Sequence, residues 1–307
     1  MTEYQEKLLK TFKVFDQFCR DNGLTYFAAY GTCLGAVRHH GFIPWDDDMD
    51  VFMMREDFNK FVSIKEKVKN MGFGVAEFND GNYPHPFAKF YSKDCSIWES
   101  RKFPIITGPW VDVFVLDGWN DSKDVEKLYD DYASSLWNYR KAIDNESWNK
   151  VWYDLSHFHL LNAVVVLMKK LFFSPFKRFF FNKVKENLAK VYAVQGDSCR
   201  QWCVLKKQVY KREWFREAVS IHFEDTVINC PNGYQEYLTF QYGNYMELPP
   251  EEKRHGTHPC FYVDLNNKKD VNSIIAEMKE AGIDIYKDDN PISISSIIYG
   301  LTHRKGI

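Results

Sequence analysis

The chain has 307 residues, 45% of them hydrophobic, enough to fill one large core or two small ones. Charged residues make up 27% and the formal net charge is only -2, so no overall field points to nucleic acid or to a strongly acidic partner, and any charge-driven function must be local. Seven cysteines, at 19, 33, 95, 199, 203, 230 and 260, are odd in number and include no Cys-x-x-Cys pair, which argues against a disulfide framework or a cysteine zinc site.

The chain starts with an amphipathic stretch that lacks the continuous apolar run of a signal peptide, so a cytoplasmic protein is expected. Apolar side chains recur at helical spacing over residues 4–20 (Leu8, Leu9, Phe12, Phe15, Phe18) and Asp21-Asn22-Gly23 supplies the stop. An aromatic-rich strand is expected over 24–30, ending at Gly31-Thr32, with Thr32 as the N-cap of a short helix. A brief strand at "DMDVFM" then leads into a helix from about Asp57 to Asn70, and further strands fit 86–92, 96–100 and 110–118. The sum is an α/β (α+β) fold, a mixed sheet with flanking helices. From 121 to 220 the pattern changes to long helices rich in Trp, Tyr, Phe and Lys, read as a large helical insertion. Residues 230–259 alternate turn signals with one short helix, and a last helix is expected over 271–282.

The chemistry concentrates in "GTCLGAVRHHGFIPWDDDMDVFM", residues 31–53. On a strand Asp48 and Asp50 project to one side while Met49 and Val51 enter the core, so two carboxylates share a small volume. That arrangement is costly unless one takes a proton or a cation bridges them, and Mg²⁺ (or Mn²⁺) suits a pair of carboxylates plus substrate phosphates. Asp112 lies inside the apolar run "WVDVFV", where an unpaired carboxylate is expensive, so a third ligand or a general base is expected there; Asp117, on the same stretch, is the competing choice. Gly31 and Thr32 offer a phosphate the free N–H groups of a helix start, and Arg38 and His39 add positive charge. Each part alone is weak, since Asp-x-Asp is usually a solvated turn and Arg-His usually surface; their order and spacing lift the functional reading.

These residues resemble the signature of the LicD family, which includes the fukutin-type proteins, within the nucleotidyltransferase superfamily. A second block, "FEDTVINCPNGYQEYLTFQYGNYMELPPEEKRHGTHP" (223–259), resembles that family's carboxy-terminal segment. The resemblance implies a nucleotidyltransferase-like core over 1–120, the helical insertion or lobe over 121–220, and a segment completing the active site over 221–307. It also implies transfer of a phosphorylated alcohol, first of all phosphocholine from CDP-choline, to a sugar hydroxyl of a surface glycan or a lipid-linked precursor. Gly31 and Thr32 match the family's phosphate turn, Asp48 and Asp50 its metal pair, and Asp112 its later carboxylate. Lys89 and His258 match further family positions, as donor-phosphate contact and mouth of the site respectively. Asn244 stands where many relatives carry Asp, and Cys33 where Leu is frequent.

Alternatives stay open at this level. Glycerol phosphate or ribitol phosphate could replace phosphocholine; a nucleotidyltransferase would attack the α-phosphorus with the same residues; a non-catalytic glycan-binding protein is disfavoured by the intact aspartates. Lys89 could equally be an edge-strand lysine. The segment 158–181 is too short and too interrupted by Lys169, Lys170, Pro175, Lys177 and Arg178 to span a bilayer. Its Phe-rich, basic composition would suit peripheral contact with an inner membrane face, but a helix packed in the core, with Phe172 and Phe179 buried, is the favoured expectation.

Overall fold

The computed structural model describes residues 1–144, 148–202, 208–256, 258–283, 285–286 and 292–293. Helix α1 (Glu3–Asp21) opens with a capping box: the Thr2 hydroxyl accepts from the Gln5 N–H at 3.2 Å, and the Gln5 side chain accepts from the Thr2 N–H at 3.1 Å. Its stripe of Leu8, Phe12 and Phe15 is fully buried. Strand β1 is only Phe27–Ala28, because the chain bends at Tyr30, held at φ +43°, and enters α2 (Tyr30–His39) at once. The expected cap is thereby corrected: Ala29 occupies the N-cap position and Thr32 lies within the first turn.

Next come β2 (Met49–Met54), α3 (Arg55–Ser63), a 3-10 stretch over Lys65–Met71 where one continuous helix was expected, β3 (Phe73–Ala76), β4 (Ala88–Ser92), β5 (Ser96–Trp98), β6 (Ile106–Thr107) and β7 (Trp110–Trp119). The main sheet runs β1-β2-β7-β4-β3, with β2 and β7 parallel and the other neighbours antiparallel, so the fold is mixed α/β. Val111, Val113 and Val115 of β7 face the apolar core that α1 closes. The opposite face of the same strand carries Asp112.

Past β7 come α4 (Lys123–Ile143), α5 (Trp148–Ser156), α6 (Leu160–Phe172) and α7 (Lys177–Val191). The helical reading of 121–220 stops there: β8 (Ser198–Arg200) pairs with the end of β7, and β9 (Val209–Lys211) pairs with β8. Strands of three residues leave too little period-2 signal to be separated from the aromatic helical pattern around them. Helices α4 and α7 share a core with Trp119, Tyr132, Tyr139 and Val184. Helix α6 buries only Ala163 and Val166, against Val151 of α5. Phe172 and Phe179 are 56% and 63% exposed, so the expectation that they pack in the core is overturned; the helix meets neighbours on one narrow side and its apolar sequence is wider than that side.

The rest of the chain forms a hairpin, β10 (Ala218–Phe223) and β11 (Thr226–Pro231), then α8 (Tyr234–Tyr242), β12 (Pro259–Cys260), β13 (Tyr262–Asp264), α9 (Val271–Glu280) and β14 (Ile292–Ser293). Strand β13 pairs with β5, which ties this segment back to the amino-terminal half. The six described cysteines are free and buried; Cys203 lies outside the described residues. Among the described residues no helix is long and apolar enough to cross a membrane.

Candidate active site

Strand register builds the centre. Asp50 of β2 stands opposite Asp112 of β7, and Asp112 stands opposite Lys89 of β4. Directly opposed residues share a face, so two carboxylates and an ammonium form one row across three strands. Met49 and Val51, fully buried, hold the other face. Lys89 is no edge residue, because β4 lies between β3 and β7. Its Nζ lies 3.2 Å from Asp112 Oδ1, 3.2 Å from Glu99 Oε2 and 3.7 Å from the centre of the Trp110 ring. Burial would lower its pKa, but Asp112 and then Glu99 overcome this and raise it.

Asp112 also accepts from Trp110 Nε1 at 3.1 Å. Burial raises its carboxyl to about 6, against the lowering effect of Lys89. Its competitor Asp117 is engaged elsewhere: Arg55 Nε and Nη2 reach its two oxygens at 2.7 and 2.6 Å, a bidentate pair with Asp117 buried. Asp112 Oδ1 accepts no hydrogen bond but is ion-paired with Lys89, whereas Asp50 is set among carboxylates. Its Oδ1 is buried without a hydrogen-bond partner, and burial, then Asp48, then Asp112, hold its pKa well above the carboxylate range. A buried oxygen crowded by like charges is the electrostatic condition that a bound cation relieves.

Gly31 and Thr32 lie against this row for steric and hydrogen-bonding reasons. A Cβ on Gly31 would fall 2.6 Å from Asp46 Oδ2, so only glycine lets that carboxylate approach the first turn of α2. The Thr32 hydroxyl accepts from the Asp50 N–H at 2.8 Å, fixing β2 to α2. Asp46, whose pKa burial and then Asp48 and Asp47 raise, carried no expectation from the sequence, and neither did Asp47 or Glu99. The signal for the first two was present in the run Asp46-Asp47-Asp48, which the alternation argument passed over in favour of Asp48 and Asp50.

His258 arrives from the far end of the chain. Its Nδ1 lies 2.9 Å from Asp47 Oδ1 and its Nε2 3.4 Å from Asp48 Oδ2. Burial works to lower its pKa, but Asp48, Asp47 and Asp50 push it up to about 10, so it stands as an imidazolium among carboxylates. Among the described residues, Asp47, Asp48 and His258 bring three ligand atoms within 4.8 Å of one another; Asp50 and Asp112 lie outside that group. The donors around the row are carboxylate oxygens, a set that fits Mg²⁺ or Mn²⁺, while the protonated His258 pairs with Asp47 and Asp48 and offers a metal no lone pair.

Arg38 and His39 lie at the far end of α2. Arg38 Nη1 donates to the carbonyls of Tyr245 and Glu247 at 2.7 and 3.0 Å, and its Nε to His39 Nε2 at 3.0 Å. Beside them, Glu224 at the hairpin tip accepts from the Phe42 N–H at 2.9 Å. The second sequence block is thus fastened to the first, and Arg38 ties the Tyr245–Glu247 backbone to α2.

The family model for the LicD/FKTN/FKRP nucleotidyltransferase domain matches residues 23–98, which span α2, β2, β4 and the aspartates between them. Residues 23–98 are thus similar to the LicD-type domain. The chain is 29% identical over 271 residues to the lipopolysaccharide cholinephosphotransferase LicD of Haemophilus influenzae, covering 84% of this chain and 96% of that protein. Shorter matches, of 54 and 55 residues at 44% and 42% identity, link it to uncharacterized proteins of Rickettsia typhi and Rickettsia prowazekii, covering 18% of this chain in each case. The matched LicD-type domain contains Asp48, Asp50 and Lys89, while Asp112 and His258 are brought to it by the fold.

Proposed function

We propose that the chain is a metal-dependent transferase that moves phosphocholine from CDP-choline to a sugar hydroxyl of a cell-surface glycan or its lipid-linked precursor. One observation carries the reading: the row Asp50–Asp112–Lys89, with Asp48 beside it and an unpartnered buried oxygen on Asp50, in a LicD-type domain. The likeness to a cholinephosphotransferase over most of both chains supports choline phosphate as the group and a lipopolysaccharide-type acceptor.

Asp48 and Asp50 are the residues that would hold Mg²⁺ or Mn²⁺, with Asp112 as third ligand or as base and His258 closing the mouth. The cation, when bound, supplies positive charge to the donor diphosphate. The first turn of α2, at Gly31 and Thr32, has no side-chain cap and presents its N–H groups to an anion. Lys89 keeps Asp112 oriented and adds a buried positive charge to the row. Asp112, whose carboxyl burial raises to about 6, is the group placed to take the proton from the acceptor hydroxyl. Attack at the distal phosphorus then expels CMP.

The experiment is product identification by phosphorus NMR with CDP-choline, CDP-glycerol or CDP-ribitol, each with lipopolysaccharide and Mg²⁺. CMP release with a new choline phosphodiester on the glycan is the expected result. CMP release from another donor alone would change the transferred group; pyrophosphate from a nucleoside triphosphate would replace the reaction by attack at the α-phosphorus; no turnover of any of them would sink the enzyme reading.

A further inference from the structure

We infer that α6, with the turn that follows it, is a docking face for an anionic lipid bilayer, on which the protein lies without crossing it. Helix α6 presents its apolar side chains outward. Leu161, Val164, Val165, Met168 and Phe172 recur at the spacing of one helical face and are 77%, 53%, 46%, 48% and 56% exposed. A face of this kind, continued by Phe176 and Phe179, is the reverse of what a surface helix turns to water.

The charge around this face identifies its occupant. From Leu155 to Lys185 the sequence contains no Asp or Glu but carries Lys169, Lys170, Lys177, Arg178, Lys183 and Lys185, while all 42 acidic residues of the chain lie outside that stretch. Asp144 neutralises Lys169 at 2.6 Å and Glu186 lies 3.2 Å from Lys183; Lys170 lies over the Trp148 ring and Lys177 donates to the neutral side chain of Asn82, so neither of these two charges is cancelled by those contacts. An apolar strip rimmed by uncompensated cations matches acyl chains below and anionic headgroups around them. A second copy of the chain fits less well, because a two-fold axis through the patch would set these cations against themselves. Thirteen residues of helix reach about 20 Å, short of the roughly 30 Å hydrocarbon core, so the helix lies in the interface. This inference rests on no assignment of the transfer reaction.

The test is co-sedimentation of the full chain with vesicles of phosphatidylcholine alone and of phosphatidylcholine mixed with phosphatidylglycerol. Binding is expected to the mixed vesicles, to weaken as salt is raised, and to drop on the order of a hundredfold when Lys170, Lys177 and Arg178 are all changed to Gln. The double substitution Val164→Asp and Met168→Asp, at exposed positions, should abolish binding with the unfolding temperature retained. Equal binding to both vesicle types, or none to either, would overturn the inference. So would a concentration-dependent dimer in sedimentation velocity that Val164→Asp and Met168→Asp dissolve.

Discussion

Asp50, half-buried with its Oδ1 enclosed, and Asp117, buried, are carboxylates placed by β2 and β7, yet their surroundings assign them opposite behaviour. Asp117 has a bidentate guanidinium partner, so Asp117→Asn leaves Arg55 buried with its partner weakened; a stability loss of roughly 3–5 kcal/mol is the magnitude for breaking such a pair. Denaturant unfolding of Asp117→Asn measures it. Asp50 faces carboxylates instead. Asp50→Asn removes a repelling charge, so without metal the variant should unfold at or above the parent's temperature while turnover falls to background. Near-parental turnover in Asp50→Asn at millimolar Mg²⁺ would remove Asp50 from the metal site. Measuring Asp112→Asn beside Asp117→Asn separates the two carboxylates of β7: the first should lose turnover, the second stability.

Elements explain why these residues meet. Tyr30 sits at φ +43°, which a bulky side chain adopts at a cost, and its N–H is held at 2.8 Å by the Tyr237 hydroxyl of α8. The turn that starts α2 is therefore braced by the carboxy-terminal block, as is its end through Arg38. Arg38 Nη1 serves both the Tyr245 and the Glu247 carbonyl while Nε donates to His39, a two-nitrogen geometry that the single ammonium of Arg38→Lys cannot reproduce. We expect it to lower turnover and to speed proteolysis around residues 245–250; cleavage at the parental rate with parental turnover would return Arg38 to the solvated surface. The approach to β4 carries a second device. His85 lies between the rings of Tyr83 and Phe87, at 5.3 and 4.8 Å, and burial, then Arg140 and Lys89, lower its pKa to about 3. The unfolded chain takes up that proton near pH 6.5. The contribution is thus complete above pH 6.5 and is lost as pH falls from there toward 3. His85→Phe should flatten the fall in urea midpoint between pH 7 and pH 4.5; an unchanged slope would show that His85 titrates normally.

At the scale of the whole molecule, what the sequence made legible divides by distance along the chain. The run from Gly31 to Met53 displays its acids and its strand within 23 residues, and "WVDVFV" announces a carboxylate in an apolar strand, so the closeness of Asp48 to Asp50 and the strand position of Asp112 are readable from local pattern alone. The contact between Asp47 and His258 was not, because 211 residues separate the two and no periodicity links them. Nor could β8 and β9 be read, being strands of three residues after a helical stretch. The outward turn of α6 escaped for a different reason: an apolar helix has the same sequence whether protein or lipid covers it.

That convergence of remote segments would make the proposed metal binding a property of the entire fold, and the proposal can be tested without substrate. Asp46, Asp47, Asp48, Asp50, Asp112 and His258 come from three separate parts of the chain, and burial beside one another's carboxylates raises the pKa of Asp46 and Asp50. A cation that binds the native state but not the unfolded chain adds about 2.7 kcal/mol at a hundred times its dissociation constant. For a chain of this size that corresponds to an unfolding temperature higher by roughly 4 °C. Mg²⁺ should therefore raise the unfolding temperature of the parent while Ca²⁺, which asks for more and longer oxygen contacts, raises it less. Asp48→Asn, which takes a carboxylate out of the ligand set, should lose most of the Mg²⁺ increment, whereas Asp117→Asn should unfold earlier yet keep the increment in full. If the parent's unfolding temperature is indifferent to Mg²⁺ and Mn²⁺ alike, the acidic row is held together by His258 and Lys89 alone, and the metal-dependent reading fails before any donor is tried.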